Sequence, residues 1–338
     1  MSRWRPVLTL TISIQNGLSS SELGSTWATR VNLVNHISLD TDLSAAQIVH
    51  RMEQMGVLGA GRMGRAAAIT ARMFEDQDCF TYLSLSGPMV PGGLRLVISH
   101  LVRDGLIDAI VTSGANIVHD LIEAYGGRHY RVPAGQDDAE LRSAGMGRIA
   151  DIFVRNEDFE AFEKRIYSFM GGLPESERTT LAPSEFLSEL GSTLTDDSSI
   201  VRQAYLNNVP IFSPGLMDSM LGFHMFTFST TNRFSLDFVK DLRILGSIVT
   251  ETKKTGAIML GGGLTKHFTM GSTILKGGLD MAVQITLDRP EGGSLGGAPL
   301  VEGVSWQKVQ ETARFETVIG DATILFPFLI LGAIDRSD

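Results

Sequence analysis

An open, mostly parallel α/β sheet of the Rossmann-like kind, with helices on both faces and in a single large domain, is the fold this sequence predicts. Three observations carry it. Short apolar runs at Ala109-Ile110-Val111, 209–212, 257–260 and 281–286 are continuous rather than alternating, as strands covered on both faces are. Segments with apolar residues at helical spacing stand between such runs. The resulting order of strand, helix and strand implies parallel pairing.

Residues 1–42 are rich in Ser, Thr and Asn with little helical period, so they read as an irregular arm around the domain or a neighbouring subunit; 43–338 read as the α/β domain. The apolar stretch at 7–14 is broken by threonines and a serine and lacks a clear cleavage site, which favours a strand or arm over a signal peptide. Residues 45–55 and 62–74 carry the helical period, and short β runs and helices follow at 80–84, 94–103, 107–112 and 117–124. Polar stretches near 172–180 and 193–199 read as surface connections. The most hydrophobic segment, 322–334, contains Pro327 and falls short of the roughly 20 apolar residues a bilayer span needs. It reads as a buried strand and a helix end.

With 338 residues, 43% apolar and 20% charged, the chain can bury a sizeable core. Its 38 acids against 29 Lys and Arg give a net charge of −9, which argues against a nucleic-acid surface and suits a cationic substrate. A single cysteine, Cys79, permits no internal disulfide and points to a reducing, cytoplasmic setting.

In open parallel sheets ligands lie beyond the carboxyl ends of the strands. Thr112-Ser113-Gly114, Asp218 and Gly261-Gly262-Gly263 all stand there. The glycine run follows the 257–260 strand directly, where missing β-carbons let a ligand approach the backbone. Asp218 could accept hydrogen bonds from a ribose, and Asp321, set against an apolar segment, needs a polar partner; either could equally cap a helix. Gly59-Ala60-Gly61-Arg62-Met63-Gly64 fits the dinucleotide fingerprint letter for letter, but a helix feeds it where the fingerprint needs a strand, so it reads as a decoy. His267 and His119 follow strand ends, and no close His/Cys/Asp set suggests a metal. Lys308, beside Trp306 at a loop edge, is the candidate nucleophilic amine.

At this point the chain resembles the deoxyhypusine synthase family over about residues 43–331. The likeness is strongest in Ser213-Pro-Gly-Leu-Met-Asp218-Ser-Met-Leu-Gly222, Leu260-Gly-Gly-Gly-Leu-Thr-Lys266-His267, Glu302-Gly-Val-Ser-Trp306-Gln-Lys308 and Gly320-Asp321-Ala322-Thr-Ile-Leu-Phe-Pro327. The resemblance implies NAD as cofactor and spermidine or a related polyamine as donor. It implies an aminobutyl group carried as a Schiff base on Lys308 and passed to a lysine of the hypusine-bearing translation factor. It makes His267 the base, sets Glu302 on an ammonium end and Trp306 along the methylenes, and matches Asp218, Gly261, Gly262, Gly263, Asp321 and Ala322 to NAD contacts. His119 and Asp120 fall in the loop that faces the polyamine. A homotetramer with sites at subunit interfaces is also implied.

The departures from the eukaryotic pattern are specific. Val118 and His119 replace an acidic pair, Phe223 replaces an aspartate, and Gly292 and Leu295 replace two further acids; the Ser-Asn segment on the NAD side reads Ser86-Gly-Pro88-Met-Val-Pro91. Thr112-Ser-Gly-Ala-Asn116 with His119-Asp120 looks more like the archaeal and bacterial branches. A free diamine as acceptor, giving homospermidine, and a catalytically silent regulatory paralogue are the alternatives.

Overall fold

The computed structural model describes residues 33–132 and 135–336. Of the arm expected over 1–42, residues 1–32 lie outside the described residues, and 33–42 form neither helix nor strand.

A helical pair opens the domain, α1 (Ala45–Met55) and α2 (Leu58–Glu75). Ser44 and Gln47 cap α1 reciprocally, each side chain taking the other's backbone N–H, and Gly56 ends it at φ +74. The Gly59–Gly64 motif lies wholly inside α2, which starts before the expected residue 62. Its glycines serve packing: a Cβ on Gly61 would come within 2.3 Å of Gly56, and one on Gly64 within 2.3 Å of Glu53 on α1.

The first crossover runs β1 (Cys79–Leu85), α3 (Arg95–Arg103), β2 (Ala109–Ser113), followed by α4 (Gly114–Ala124). A small antiparallel sheet that the sequence did not announce comes next, β3 (His129–Arg131), β4 (Met146–Ile149) and β5 (Ile152–Arg155), with α5 (Asp138–Ser143) between its first two strands and β5 in the middle. Then follow α6 (Asn156–Gly172), α7 (Pro183–Ser192), α8 (Ile200–Leu206), β6 (Ile211–Gly215), α9 (Met220–Ser229) and α10 (Phe238–Glu251). The chain closes with β7 (Lys254–Leu260), α11 (Gly263–Ser272), β8 (Leu279–Thr286), α12 (Glu302–Ser305), β9 (Val309–Ile319) and α13 (Ala322–Ile334).

The main sheet has the order β6-β2-β1-β7-β8-β9, and every neighbouring pair is parallel. Side chains alternate between two apolar layers. Leu83, Leu85, Ile258, Leu260, Val283 and Ile285 join one core, and α2 and α13 pack over β8 on that side. Tyr82, Ala257, Met259 and Ala282 face the other, where α10 and α11 contribute Leu245, Val249 and Met270. Each fully buried Leu or Ile here is worth about 1.5–3 kcal/mol. From β1 the chain builds outward through β2 to β6, then returns to the opposite side of β1 for β7, β8 and β9. That reversal places the topological switch point between the carboxyl ends of β1 and β7.

One expected element differs. Residues 322–334 form a single helix and no strand. Asp321 starts it by accepting from the Thr323 backbone N–H at 2.7 Å, and Phe326, Leu329, Ile330 and Ala333 are buried along it. Ile324 and Leu331 are apolar yet exposed on its other side, so the helix is apolar nearly all round and its composition imitates a buried strand. Among the described residues, no helix is long and apolar enough to cross a membrane.

Candidate active site

Two cavities share the elements around α11. The larger, about 780 Å³, is a crevice beyond the carboxyl ends of β1, β7, β8 and β9. Its floor is Ser86 and Gly87 after β1, Gly261-Gly262-Gly263 after β7, Leu287 and Asp288 after β8, and Gly320, Asp321 and Ala322 after β9; Arg131 and Asp151 reach it from the small sheet. It therefore lies at the switch point. Gly261 and Gly263 have φ of +77 and +63, in the region that side chains rarely adopt. A Cβ on Gly262 would stand 2.1 Å from the Gly296 Cα, so the glycine run is also pressed against the loop after β8. No side chain caps the amino terminus of α11, which leaves its first N–H groups turned toward the crevice floor. Asp321 lines the crevice and caps α13.

The smaller cavity, about 290 Å³, is one helical turn further along α11. Lys266, His267 and Met270 form one wall, Leu295, Ala298 and Pro299 a second, and Glu302, Gly303, Trp306 and Lys308 the third. Lys308 Nζ lies 3.1 Å from His267 Nε2 and 5.6 Å from the centre of the Trp306 indole, a range in which an aromatic face attracts a cation. The lysine is fixed at its backbone: its N–H donates to Gly303 O at 2.9 Å and its C=O accepts from Leu279 N at 3.0 Å. Gln307, immediately before it, has φ +56. Partial burial, then the neighbouring Lys308 charge, holds the His267 imidazole below the ordinary histidine range. A neutral ring with a lone pair toward an amine can take a proton from it.

Lys308, His267, Glu302 and Trp306 thus meet in one pocket, and Gly261, Gly262, Gly263, Asp321 and Ala322 meet in the crevice. The remaining candidates stand elsewhere in the chain. Thr112 and Ser113 end β2 and Gly114 opens α4, where it packs against Ser219, and Asp218 is exposed in the turn after β6; none lines either cavity. Asp120 is 1% exposed, and its two carboxylate oxygens accept from Arg95 Nε, Ser199 Oγ and the backbone of Ile200 and Val201. His119 Nδ1 lies 2.9 Å from His129 Nε2, whose other nitrogen meets Glu123 at 2.7 Å. Lining residues that sequence reasoning passed over are Lys266, Asp288, Arg131 and Asp151. Lys266 was visible in the motif beside His267; the others rest on tertiary placement alone. No group of three His, Cys, Asp or Glu that could hold a metal occurs among the described residues.

The description "Deoxyhypusine synthase" belongs to the family whose model matches residues 47–333. This chain belongs to that family. A probable deoxyhypusine synthase of Methanothermobacter thermautotrophicus is 47% identical over 303 residues, covering 90% of this chain and 98% of the relative. One from Methanopyrus kandleri is 44% identical over 295 residues, covering 87% and 95%. The crystal structure of a candidate deoxyhypusine synthase from Entamoeba histolytica shares the fold at a TM-score of 0.64 and 20% identity, covering 90% of this chain and 98% of that one. Membership of the deoxyhypusine synthase family implies a transferase.

Proposed function

We propose that this protein is an NAD-dependent 4-aminobutyl transferase that moves the aminobutyl group of spermidine, through Lys308, to a lysine of the hypusine-bearing translation factor. The observation that carries the reading is the 3.1 Å contact between Lys308 Nζ and His267 Nε2 in a pocket that adjoins the glycine-lined crevice.

The crevice fits a dinucleotide on its own chemistry. It has the volume, it sits at the switch point, glycine removes side chains where a backbone must approach a ligand, and an uncapped helix start favours phosphate. Gly261, Gly262 and Gly263 would meet the phosphates, and Asp321 and Ala322 would hold a ribose. When bound, NAD supplies a hydride acceptor for the carbon beside the secondary amine and a donor when the transferred group is reduced.

The chain's own residues do the rest. Glu302 pairs with a terminal ammonium, and Trp306 lies along the methylenes. His267 takes the proton from the polyamine nitrogen. Lys308 attacks the oxidised carbon, 1,3-diaminopropane leaves, and the four-carbon imine stays on the enzyme until the acceptor amine displaces it. A second reading, with a small diamine as acceptor and homospermidine as product, is favoured by Phe223 and Leu295, both exposed and apolar at positions where the eukaryotic pattern has acids. We place the enzyme in the cytoplasm as a homotetramer. There Asp218, Thr112, Ser113, Gly114, His119 and Asp120 would act, if at all, across a subunit interface.

Incubation with NAD and labelled spermidine, followed by separation of protein-bound from free label, tests both readings. Label on the translation factor supports the first; label only in a free polyamine supports the second. Borohydride that traps nothing on Lys308 overturns the two together.

A further inference from the structure

We infer that Lys266 and Gln284 are positioning residues that hold the crevice and the amine pocket in fixed relation to one another; the inference rests on the transferase reading for its kinetic test only. Both side chains are buried, at 3% and 0% exposure. Lys266 Nζ donates to Gln284 Oε1 at 3.0 Å and to the Ala298 carbonyl at 2.6 Å. Gln284 Nε2 donates to the Gly261 carbonyl at 3.0 Å and to the Gly296 carbonyl at 2.8 Å. One continuous set of hydrogen bonds thus runs from the crevice floor at Gly261, through Gln284 on β8 and Lys266 on α11, to the pocket wall at Ala298.

The wall needs such a frame. Residues 288–300 carry Leu295, Ala298 and Pro299 into the pocket, yet between β8 and α12 they form only a single turn of 3-10 helix. The segment is folded tightly on its glycines: a Cβ on Gly296 would strike the Asp288 carboxylate at 1.8 Å, and one on Gly297 the Arg289 carbonyl at 2.1 Å. Its buried carbonyl at 296 and part-buried carbonyl at 298 need donors inside the protein, and the Gln284 amide and Lys266 amine supply them. A buried, fully connected polar network fixes one geometry where an apolar contact would allow several.

The same bonds divide the work of the pocket's two lysines. Lys266 Nζ is committed to two acceptors, whereas Lys308 Nζ faces only an imidazole and an indole among the described residues. Burial also brings the Lys266 amine down to about 8, so the group is chemically capable of attack but is held away from it. Lys308 reacts; Lys266 builds.

The test uses the full-length enzyme as Lys266→Met, Gln284→Leu and the double variant, which removes both partners and leaves no side chain orphaned. Lys266→Met should raise the spermidine KM about tenfold and lower kcat less than about threefold, because an interaction that shapes the pocket is lost while the reacting pair is kept. Gln284→Leu should weaken both spermidine and NAD binding about tenfold, since it touches the Gly261 turn as well. Amide hydrogen exchange across 288–300 should quicken in all three, and the double variant, which takes these donors from the Gly261, Gly296 and Ala298 carbonyls, should melt below wild type. A double variant with wild-type KM, NAD affinity and protection of 288–300 overturns the inference. A wild-type enzyme without turnover on spermidine and NAD overturns the transferase reading instead, and the exchange comparison still decides whether the frame holds the wall.

Discussion

Two histidines that follow strand ends, His267 and His119, sit in opposite kinds of surroundings. His267 is exposed and lies beside a lysine amine that has no other hydrogen-bond partner among the described residues. His119 is buried in a cluster whose other members are already occupied: His129 takes its Nδ1, Glu123 takes His129, Arg95 bridges Glu123, Asp120 and Asp196, and all hydrogen-bonding directions of the Asp120 carboxylate are used within the chain. Residue type and place in the strand order are shared. What differs is unused hydrogen-bonding capacity. A substrate needs partners that the fold has left open, and the first site has them.

The sharpest way to break this comparison is to substitute the reactive side. Lys308→Arg should lower borohydride trapping and turnover by at least about a thousandfold, because a guanidinium stays protonated and cannot attack. Its melting temperature should stay close to wild type, as Lys308 Nζ bonds only to His267 among the described residues. Mass spectrometry of the trapped protein measures the first quantity and a thermal melt the second. An active Lys308→Arg enzyme removes the lysine from the mechanism.

The occupied side should respond in stability instead. Asp120→Ala leaves Arg95, 8% exposed, without its closest carboxylate and leaves the first turn of α8 without acceptors. Breaking a buried pair in this way costs about 3–5 kcal/mol, readable in urea unfolding. A cost under about 1 kcal/mol would mean that the cluster is not what holds α3, α4 and α8 together.

Acid exposes the same cluster more gently. Burial, with the His129 charge adding to it, takes the His119 imidazole down to about 4 from its ordinary 6.5. Between these two values the unfolded chain binds a proton that the folded chain refuses, so the stability present above pH 6.5 is lost as pH falls toward 4. A shift of that size corresponds to about 3 kcal/mol over the window. His119→Gln should flatten this part of the stability profile, measured by urea unfolding at a series of pH values. An unchanged slope assigns the acid sensitivity to other groups.

How much of this could be read from sequence follows from the range of the interactions. The strands at 109–111, 257–260 and 281–286 were legible because both of their faces are buried, so composition alone marks them. The small sheet was not, because its strands are short and half-exposed. Gly261-Gly262-Gly263 was legible as a turn after a strand, and the pocket around Lys308 through its family motifs. Asp120 was expected in the loop that faces the polyamine, and its bonds inside the chain were not legible because the partners, Arg95 and residues 199–201, lie far off along the sequence. Gln284 was hidden for the opposite reason: inside an apolar run, nothing in the sequence says that its amide is the junction of two loops.

The smallest expected effect concerns how the open site is aimed. Gln307 holds φ +56 directly before Lys308, although side chains disfavour that conformation by about 1–2 kcal/mol. Its N–H donates to Val304 O at 3.0 Å, and the Lys308 N–H to Gly303 O at 2.9 Å, so the turn is held from both sides of the strained residue. Glycine adopts the conformation freely but also loosens the unfolded chain, so Gln307→Gly should stabilise the protein by less than about 1 kcal/mol. Trapping at Lys308 should stay within about twofold of wild type, because the bond that clamps the lysine backbone survives the substitution. If trapping instead falls more than about tenfold, the strained backbone itself aims the amine, and the contrast between the two histidine sites becomes one of stored strain as well as of open hydrogen-bonding capacity.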